Sequence, residues 1–504
     1  MRLVKNSFYS LGAAVLPTLI ALVSVPLFVS TIGMERYGVL IVAWILLGYF
    51  GQADFGIGRA ITQRVSSAKE LSSDFRAEAV TSAFASSFLF SIVAAILTYL
   101  AASWFFSGPF DIDEALRSEI MGAIWALALA IPVIATSGVA AGALMGLERF
   151  GLSSLGNLIG QSGGQLLPLA YALLVGPDVG ALIICSVIGR ALGLVILAAG
   201  VWGAFYRSGR LRITKSQMGH LTRFGIWVMV SALVGPLMLV GDRFVIGAIS
   251  GAVAVAAYSI PYQLAARTQL LPISLVHALF PRFASEDPAS SKQRCEDYTI
   301  FVAQIFAPVV LGLIFLTSPF LHLWLGENLD QRSIAVGHVL FAAFWINATA
   351  NVPYAYIQAS GNPRFTAMLH VAELPVYALL LYFFGLQFAL VGFAIAFALR
   401  CLIDCTSLMW RSGARFGALA RAILPQFVLI LGAIIVAGTF DSLTQLLVGP
   451  LVFCTISILI TLFWMPPTIA NRLAQIPLVA KFPILARAVG LSGTATNPES
   501  KSGH

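Results

Sequence analysis

Apolar stretches of about 20 residues follow one another along almost the whole chain, and short gaps between them hold most of the charge. A helix of about 20 apolar residues spans the hydrocarbon core of a bilayer, where only helices and closed barrels satisfy their own backbone. Fourteen segments can be drawn, each bounded by charge, Gly or Pro: 7–30, 38–60, 79–102, 120–142, 152–175, 180–204, 222–246, 251–278, 298–322, 334–358, 365–385, 388–411, 421–439 and 444–466. The narrowest gap lies near Gly385–Gln387. The pattern predicts an all-α polytopic membrane protein with about 14 transmembrane helices, and an even count brings both termini to one side.

Lys and Arg collect in alternate gaps. The side shared with the N-terminus carries Arg2, Lys5, Arg64, Lys69, Arg76, Arg207, Arg210, Arg212, Lys215, Arg282, Lys292, Arg294, Arg411, Arg415 and Arg421, among others. The opposite gaps offer Arg36, Arg117 and Arg332, with acidic runs such as Asp111, Asp113 and Glu114. Cytoplasmic loops hold the excess of Lys and Arg, so both termini are expected in the cytoplasm, as in a multi-pass protein of a bacterial inner membrane. Hydrophobic residues make up 59 % of 504 positions and charged ones 10 %, with a net charge of +8. That charge is spent on topology and on attraction to anionic lipid headgroups, and no nucleic-acid partner is expected.

The first segment carries Pro17 and Pro26 and ends in Val29-Ser30-Thr31-Ile32 rather than a small-x-small site, which argues against a cleaved signal peptide. Five cysteines (Cys185, Cys295, Cys401, Cys405, Cys454) fall in spans or a cytoplasmic gap, so neither a disulfide framework nor a metal site is expected.

No soluble domain is expected. The organisation predicted is an N-lobe over 1–205, a cytoplasmic linker over 206–221, a C-lobe over 222–411, two further helices over 412–466 and a largely disordered tail over 467–504. A faint internal repeat supports the two lobes. Pro26-Leu-Phe-Val-Ser and Ile32-Gly33-Met-Glu-Arg-Tyr37-Gly38 near the start are echoed by Arg243-Phe-Val-Ile-Gly, Ile249-Ser-Gly251 and Tyr258. Duplicated bundles with substrate held between them are a common transporter plan. Proline inside the spans, as at Pro132, Pro236, Pro308 and Pro353, suits helices that must bend.

Eight charges lie at membrane depth without a topological reason: Asp54, Arg190, Asp242, Arg243, Arg267, Glu373, Arg400 and Asp404. A charge at mid-bilayer costs roughly 2.5–3.5 kcal/mol on insertion scales, so it faces a partner, a cavity or a ligand. Arg400 and Asp404 are spaced i, i+4 and can pair on one helix face. Asp242-Arg243 close the outer end of span seven, as part of a gate or as a headgroup cap. Asp54 and nearby Arg59 sit near the inner end of span two, as gate and cavity groups or as interfacial side chains that snorkel to water. Arg190 and Arg267 have no acid close in sequence, and a guanidinium fork suits phosphate. Glu373 is an isolated acid and, with Asp404 and Arg400, a proton or sodium coupling candidate. The lone histidines His277, His322, His338 and His370 read as interfacial or hydrogen-bonded residues.

The chain holds no phosphate-cradling Gly-x-x-x-x-Gly-Lys-Ser/Thr loop, no His-Glu-x-x-His and no Gly-x-Ser-x-Gly. No catalytic residue, metal or cofactor is therefore assigned, and the protein is read as a transporter rather than an enzyme. Coupling to a proton or sodium gradient is expected. A membrane glycan polymerase or ligase usually places its chemistry in a large outer loop, and the longest outer loop here is 106–119.

Three stretches resemble the polysaccharide transporter family, the O-antigen-type (Wzx-like) flippases of the multidrug/oligosaccharidyl-lipid/polysaccharide exporter superfamily. They are Asn6-Ser-Phe through Pro26 to Ile32-Gly33-Met-Glu35-Arg-Tyr37-Gly38, Asp54-Phe-Gly56-Ile-Gly58-Arg59-Ala60, and Gly241-Asp242-Arg243-Phe-Val-Ile-Gly247 with Tyr258 and Pro281. Gln358-Ala-Ser-Gly361-Asn-Pro363 adds an echo. The resemblance implies two six-helix lobes around a central cavity lined by spans one, two, seven and eight. It implies a substrate of oligosaccharide on undecaprenyl diphosphate, moved from the cytoplasmic to the periplasmic leaflet. The implied partners are that substrate, membrane lipids, and a glycan polymerase and glycosyltransferases of the same O-antigen, lipopolysaccharide or exopolysaccharide pathway. It puts Asp54, Arg59, Asp242, Arg243 and Arg267 on cavity-side helices, with Arg190, Glu373 and Arg400 further out. The last two spans are similar to the extra pair of the lipid II flippase branch. The first alternative is a multidrug or small-molecule cation antiporter of the same superfamily.

Overall fold

The computed structural model describes residues 2–52, 57–67, 73–206, 212–439 and 443–474, and among them every regular element is a helix. In chain order these are α1 (Arg2–Gln52), α2 (Ile57–Ser67), α3 (Ser73–Ser107), α4 (Glu114–Met121), α5 (Ile124–Gly146), α6 (Phe150–Leu174) and α7 (Val179–Val201). There follow α8 (Lys215–Arg267), α9 (Leu270–Ser285), α10 (Pro288–Leu325), α11 (Arg332–Ala359), α12 (Pro363–Arg411), α13 (Phe416–Thr439), α14 (Leu443–Trp464) and α15 (Pro467–Ala474).

The distribution of side chains is that of a molecule solvated by lipid. In α3, Ser82, Ser87 and Ser91 are fully buried, while Phe88 is 55 % exposed, Ile96 56 % and Trp104 68 %. Water would expel that surface, whereas acyl chains are as apolar as the side chains that meet them. Nine helices among the described residues are long and apolar enough to cross a membrane. The fourteen expected segments fall on fewer, longer helices, because adjacent segments share one element.

Three backbone interruptions explain the sharing. Within α1, Gly33 adopts φ 80°, ψ 165°, and within α8, Gly251 adopts φ 77°, ψ 179°. Both glycines occupy conformations that a Cβ disfavours, at matching places in the repeat seen in the sequence. Within α12 the interruption is at Phe388 and Ala389, just beyond the expected gap. There Gly392 packs against the backbone of Phe384, and Gly385 against the ring of Phe393.

The chain divides into two compact units, Met1–Ser259 with Trp324–Asp330, and Ile260–Leu323 with Gln331–His504. In the first, Ile57, Ile61 and Val65 of α2 join Val80 and Ala83 of α3 and Ile131, Val139 and Leu144 of α5 in one buried cluster. Trp324 Nε1 donates to Leu22 O at 2.8 Å and ties the 324–330 segment to α1. In the second, Tyr262, Phe344 and Phe397 meet edge-on or tilted at 5.1–5.6 Å.

A polar network also stitches α10, α13 and α14 in the second unit. Gln426 Nε2 donates to Gln304 Oε1 (2.8 Å) and Ser457 O (3.0 Å), Ser457 Oγ donates to Gln426 Oε1 (2.8 Å), and Gln304 Nε2 donates to Ala422 O (2.7 Å). These amides are buried, and a hydrogen bond made in lipid has no water to compete with it.

Candidate functional site

Glycines at four-residue spacing flank a cavity in the first unit. Gly156, Gly160 and Gly164 form a stripe on α6, and Gly189 and Gly193 form one on α7. Small residues repeated every four positions let two membrane helices approach to backbone contact. A Cβ built on Gly193 would lie 2.6 Å from both Gly156 O and Gly160 Cα, and one on Gly163 would lie 3.1 Å from Gly189 Cα. The helices therefore run antiparallel and meet backbone to backbone at Gly160, Gly163, Gly189 and Gly193.

Beside this seam the first unit encloses a cavity of about 470 Å³, whose lining includes Gly48 of α1, Ser137 of α5, Asn157 and Gln161 of α6, and Arg190 and Gly193 of α7. Arg190 lies about 17 Å along α7 from Val179, at mid-helix. Its side chain passes over Gly164, where an added Cβ would sit 3.4 Å from Cγ and 3.6 Å from Nε. Its Nε is buried without a hydrogen bond, as is Gln165 Oε1 one turn beyond Gln161. No carboxylate among the described residues lies within ion-pair distance of it. Trp44 Nε1 donates to Ser186 Oγ at 2.9 Å, one turn from Arg190, and fixes α1 against α7.

Arg59 and Arg267 occupy comparable places, each within its own unit. Arg59 is exposed in the first turn of α2, a helix that buries Gly58 and packs on α5 through Thr62 Oγ1, which donates to Gly142 O at 2.9 Å. Asp54 lies outside the described residues. Arg267 is exposed at the last position of α8, about 24 Å along the helix from Gly251. The next helix starts at Leu270 because Gln269 is pulled aside. Its Nε2 donates to Phe344 O (2.7 Å) and its Oε1 accepts from Asn351 Nδ2 (3.2 Å). Span eight is thus a discontinuous helix with a cation at the interruption.

Asp242 and Arg243 lie on α8, upstream of its turn. Both are buried about 13 Å before the Gly251 turn. Arg243 Nη1 lies 2.5 Å from Asp242 Oδ1, Tyr258 OH donates to Asp242 Oδ2 at 2.8 Å, and the guanidinium stacks 5.3 Å from the Tyr258 ring. A desolvated pair needs such partners, and Tyr258 on the far arm of α8 supplies them only once the helix has turned.

In the second unit the structure gathers Glu373, Arg400 and Asp404, all buried. Arg400 Nε faces Glu373 Oε2 at 3.6 Å across the α12 turn, and Asp404 one turn along the same arm also interacts with it electrostatically. Asp404 Oδ1 faces His370 Nε2 at 3.6 Å, and that ring stacks on Tyr354 at 5.8 Å. His370 and Tyr354 therefore belong to a charge cluster that single-segment reading cannot assemble. Asn157, Gln161 and Gln165 were also missed. Their signal is a polar stripe with the same four-residue period as the glycines next to it. Among the described residues, no three His, Cys, Asp or Glu side chains gather to hold a metal ion.

Residues 3–287, more than half of the chain, match the family described as polysaccharide biosynthesis protein. The chain belongs to that family. A Shigella flexneri protein named as an O-antigen transporter is 28 % identical over 411 residues, which is 81 % of this chain and 97 % of the relative. Among solved structures, lipid II flippase MurJ in an inward closed conformation aligns with a TM-score of 0.65 at 16 % identity, covering 90 % of this chain and 97 % of its own. An inward-facing multidrug resistance MATE transporter of the MOP superfamily aligns with a TM-score of 0.59 at 17 % identity, covering 80 % and 96 %. At these identities the two structures speak for the fold of this family member.

Proposed function

We propose that this chain is a flippase that carries an oligosaccharide linked to polyprenyl diphosphate, an O-antigen or exopolysaccharide repeat unit, from the inner to the outer leaflet of a bacterial cytoplasmic membrane. The observation that carries the reading is the cavity of the first unit. It presents a guanidinium, amides and a hydroxyl, and no carboxylate among the described residues that line it. Such a lining suits a hydroxyl-rich anion and repels an organic cation. The named O-antigen transporter, matched along nearly its whole length, supports the same substrate class.

In this proposal Arg267, exposed beside a helix end, holds the diphosphate through paired N–H donors, and the charge of Arg59 helps electrostatically. Asp242 and Arg243, with Asp54, belong to the gate. Because their contact with Tyr258 ties the two arms of α8 about Gly251, those arms move as one piece during alternating access. The Glu373–Arg400–Asp404–His370 cluster couples the cycle to an ion gradient. It holds two acids against one permanent cation, so taking up or releasing one proton changes its net charge by one. Both termini lie in the cytoplasm.

Replacing Arg267 with Ala is expected to abolish surface glycan while the protein inserts at its normal level and the lipid-linked precursor accumulates inside. Normal export by Arg267→Ala would remove Arg267 from the diphosphate site. The MATE-like fold favours one competing reading, a drug antiporter. Under that reading, cells lacking the protein keep their glycan and lose drug tolerance.

A further inference from the structure

Resting on the flippase reading, we propose that the α1/α5/α6/α7 cavity of the first unit is a subsite for a monoanionic sugar of the transported glycan, a hexuronic acid or similar carboxylated residue. Three features fit that ligand better than the diphosphate. First, among the described residues the lining carries one permanent charge, Arg190, and a guanidinium fork matches one carboxylate in a bidentate pair. A diphosphate brings at least two negative charges to a site holding one positive charge.

Second, the remaining polar groups are neutral. Asn157 and Gln161 stand one turn apart on α6, with Ser137 opposite on α5. Each amide offers a donor and an acceptor, the set that neighbouring sugar hydroxyls need. Arg190 Nε is a buried donor that no group among the described residues satisfies. Third, the walls are backbone. Gly48, Gly156, Gly160 and Gly193 remove side chains from around the Arg190 fork, and the resulting volume of about 470 Å³ is in the range of small-molecule sites. That volume accommodates one or two sugar rings and excludes a lipid chain as well.

The consequence is specificity for charge. A glycan without an acid would cover the guanidinium with nothing to pair it, and leaving such a group unpaired is how a site rejects the wrong ligand. The subsite thus selects lipid-linked glycans that carry a carboxylate, independently of how their diphosphate is held.

Isothermal titration calorimetry on the full chain in lipid nanodiscs tests this, with glucuronate, glucose and glucose 1-phosphate as probes. Glucuronate is expected to bind at least about tenfold tighter than glucose and glucose 1-phosphate. Arg190→Gln is expected to erase that preference and Arg190→Lys to restore part of it. Gln161→Leu, which keeps the charge, is expected to weaken all three sugars. Glucose binding as tightly as glucuronate, glucose 1-phosphate binding more tightly, no glucuronate binding by the wild-type chain, or an unchanged preference in Arg190→Gln would each overturn the proposal. If Arg190→Gln does not fold, Gln161→Leu and the wild-type preference decide. Export of lipid-linked glycan by the wild-type chain in cells is measured alongside. Export without the binding preference removes the subsite and leaves the flippase, whereas absence of export removes the flippase reading itself.

Discussion

Adding one methyl group to Gly193 tests the seam on which the first unit's cavity is built. The Cβ of Gly193→Ala would lie 2.6 Å from Gly156 O and Gly160 Cα and 2.7 Å from Gly160 N. All three are backbone atoms, so no rotamer change relieves the clash. Ordinary contact begins at 3.4 Å, which leaves a shortfall of 0.8 Å that the two helices must open at their crossing. Overpacking of this kind costs about 1–3 kcal/mol. Gly193 also lines the cavity that holds Arg190, so opening the seam disturbs its wall. Thermal unfolding of the purified protein in detergent reads the cost directly. Gly176→Ala is the control, because a Cβ there meets nothing within 4 Å, and it is expected to stay within about 0.5 kcal/mol of wild type. Equal melting of Gly193→Ala and wild type would show that α6 and α7 do not meet backbone to backbone, and the cavity would lose its wall.

Two further perturbations address other parts of the molecule. Asp242→Asn leaves Arg243 buried with its ion-pair partner neutralised and is expected to destabilise by about 3–5 kcal/mol, with the double variant Asp242→Asn/Arg243→Gln recovering part of that loss in the same melting assay. Gln426→Leu removes the centre of the α10–α13–α14 network, and at about 0.6–1.7 kcal/mol for each membrane hydrogen bond it is expected to raise proteolysis of the C-terminal helices before the rest of the chain.

Hydropathy made the helices legible because a bilayer gives backbone polar groups no alternative partner, so apolar length alone commits a segment to helix. The turns at Gly33 and Gly251 were legible for a local reason, since each falls in a short run of small residues that the repeat places alike. What the sequence hid depends on contacts across those turns. Arg400 has Asp404 one turn away, and it also faces Glu373, which lies 27 positions earlier and reaches it only because α12 folds back at Phe388–Ala389. His370 looked solitary for the same reason. The bond of Asp242 to Tyr258 was hidden because Tyr258 lies on the far arm of α8. Arg190 stood out as a cation without a local acid. That it lines a cavity follows from the glycine stripes on α6 and α7, a pattern present in the sequence whose meaning rests on two helices meeting.

Reconstitution in liposomes reads transport of a lipid-linked anionic glycan without the rest of the cell. Liposomes holding the purified chain are loaded with polyprenyl-diphosphate-linked oligosaccharide, and an impermeant lectin or glycosidase reports the fraction exposed outside over time. The account predicts that exposure rises well above half of the labelled lipid in wild-type vesicles and stays near half with Arg267→Ala. Exposure that stays near half with the wild-type chain, in vesicles that take up a fluorescent organic cation, would contradict it.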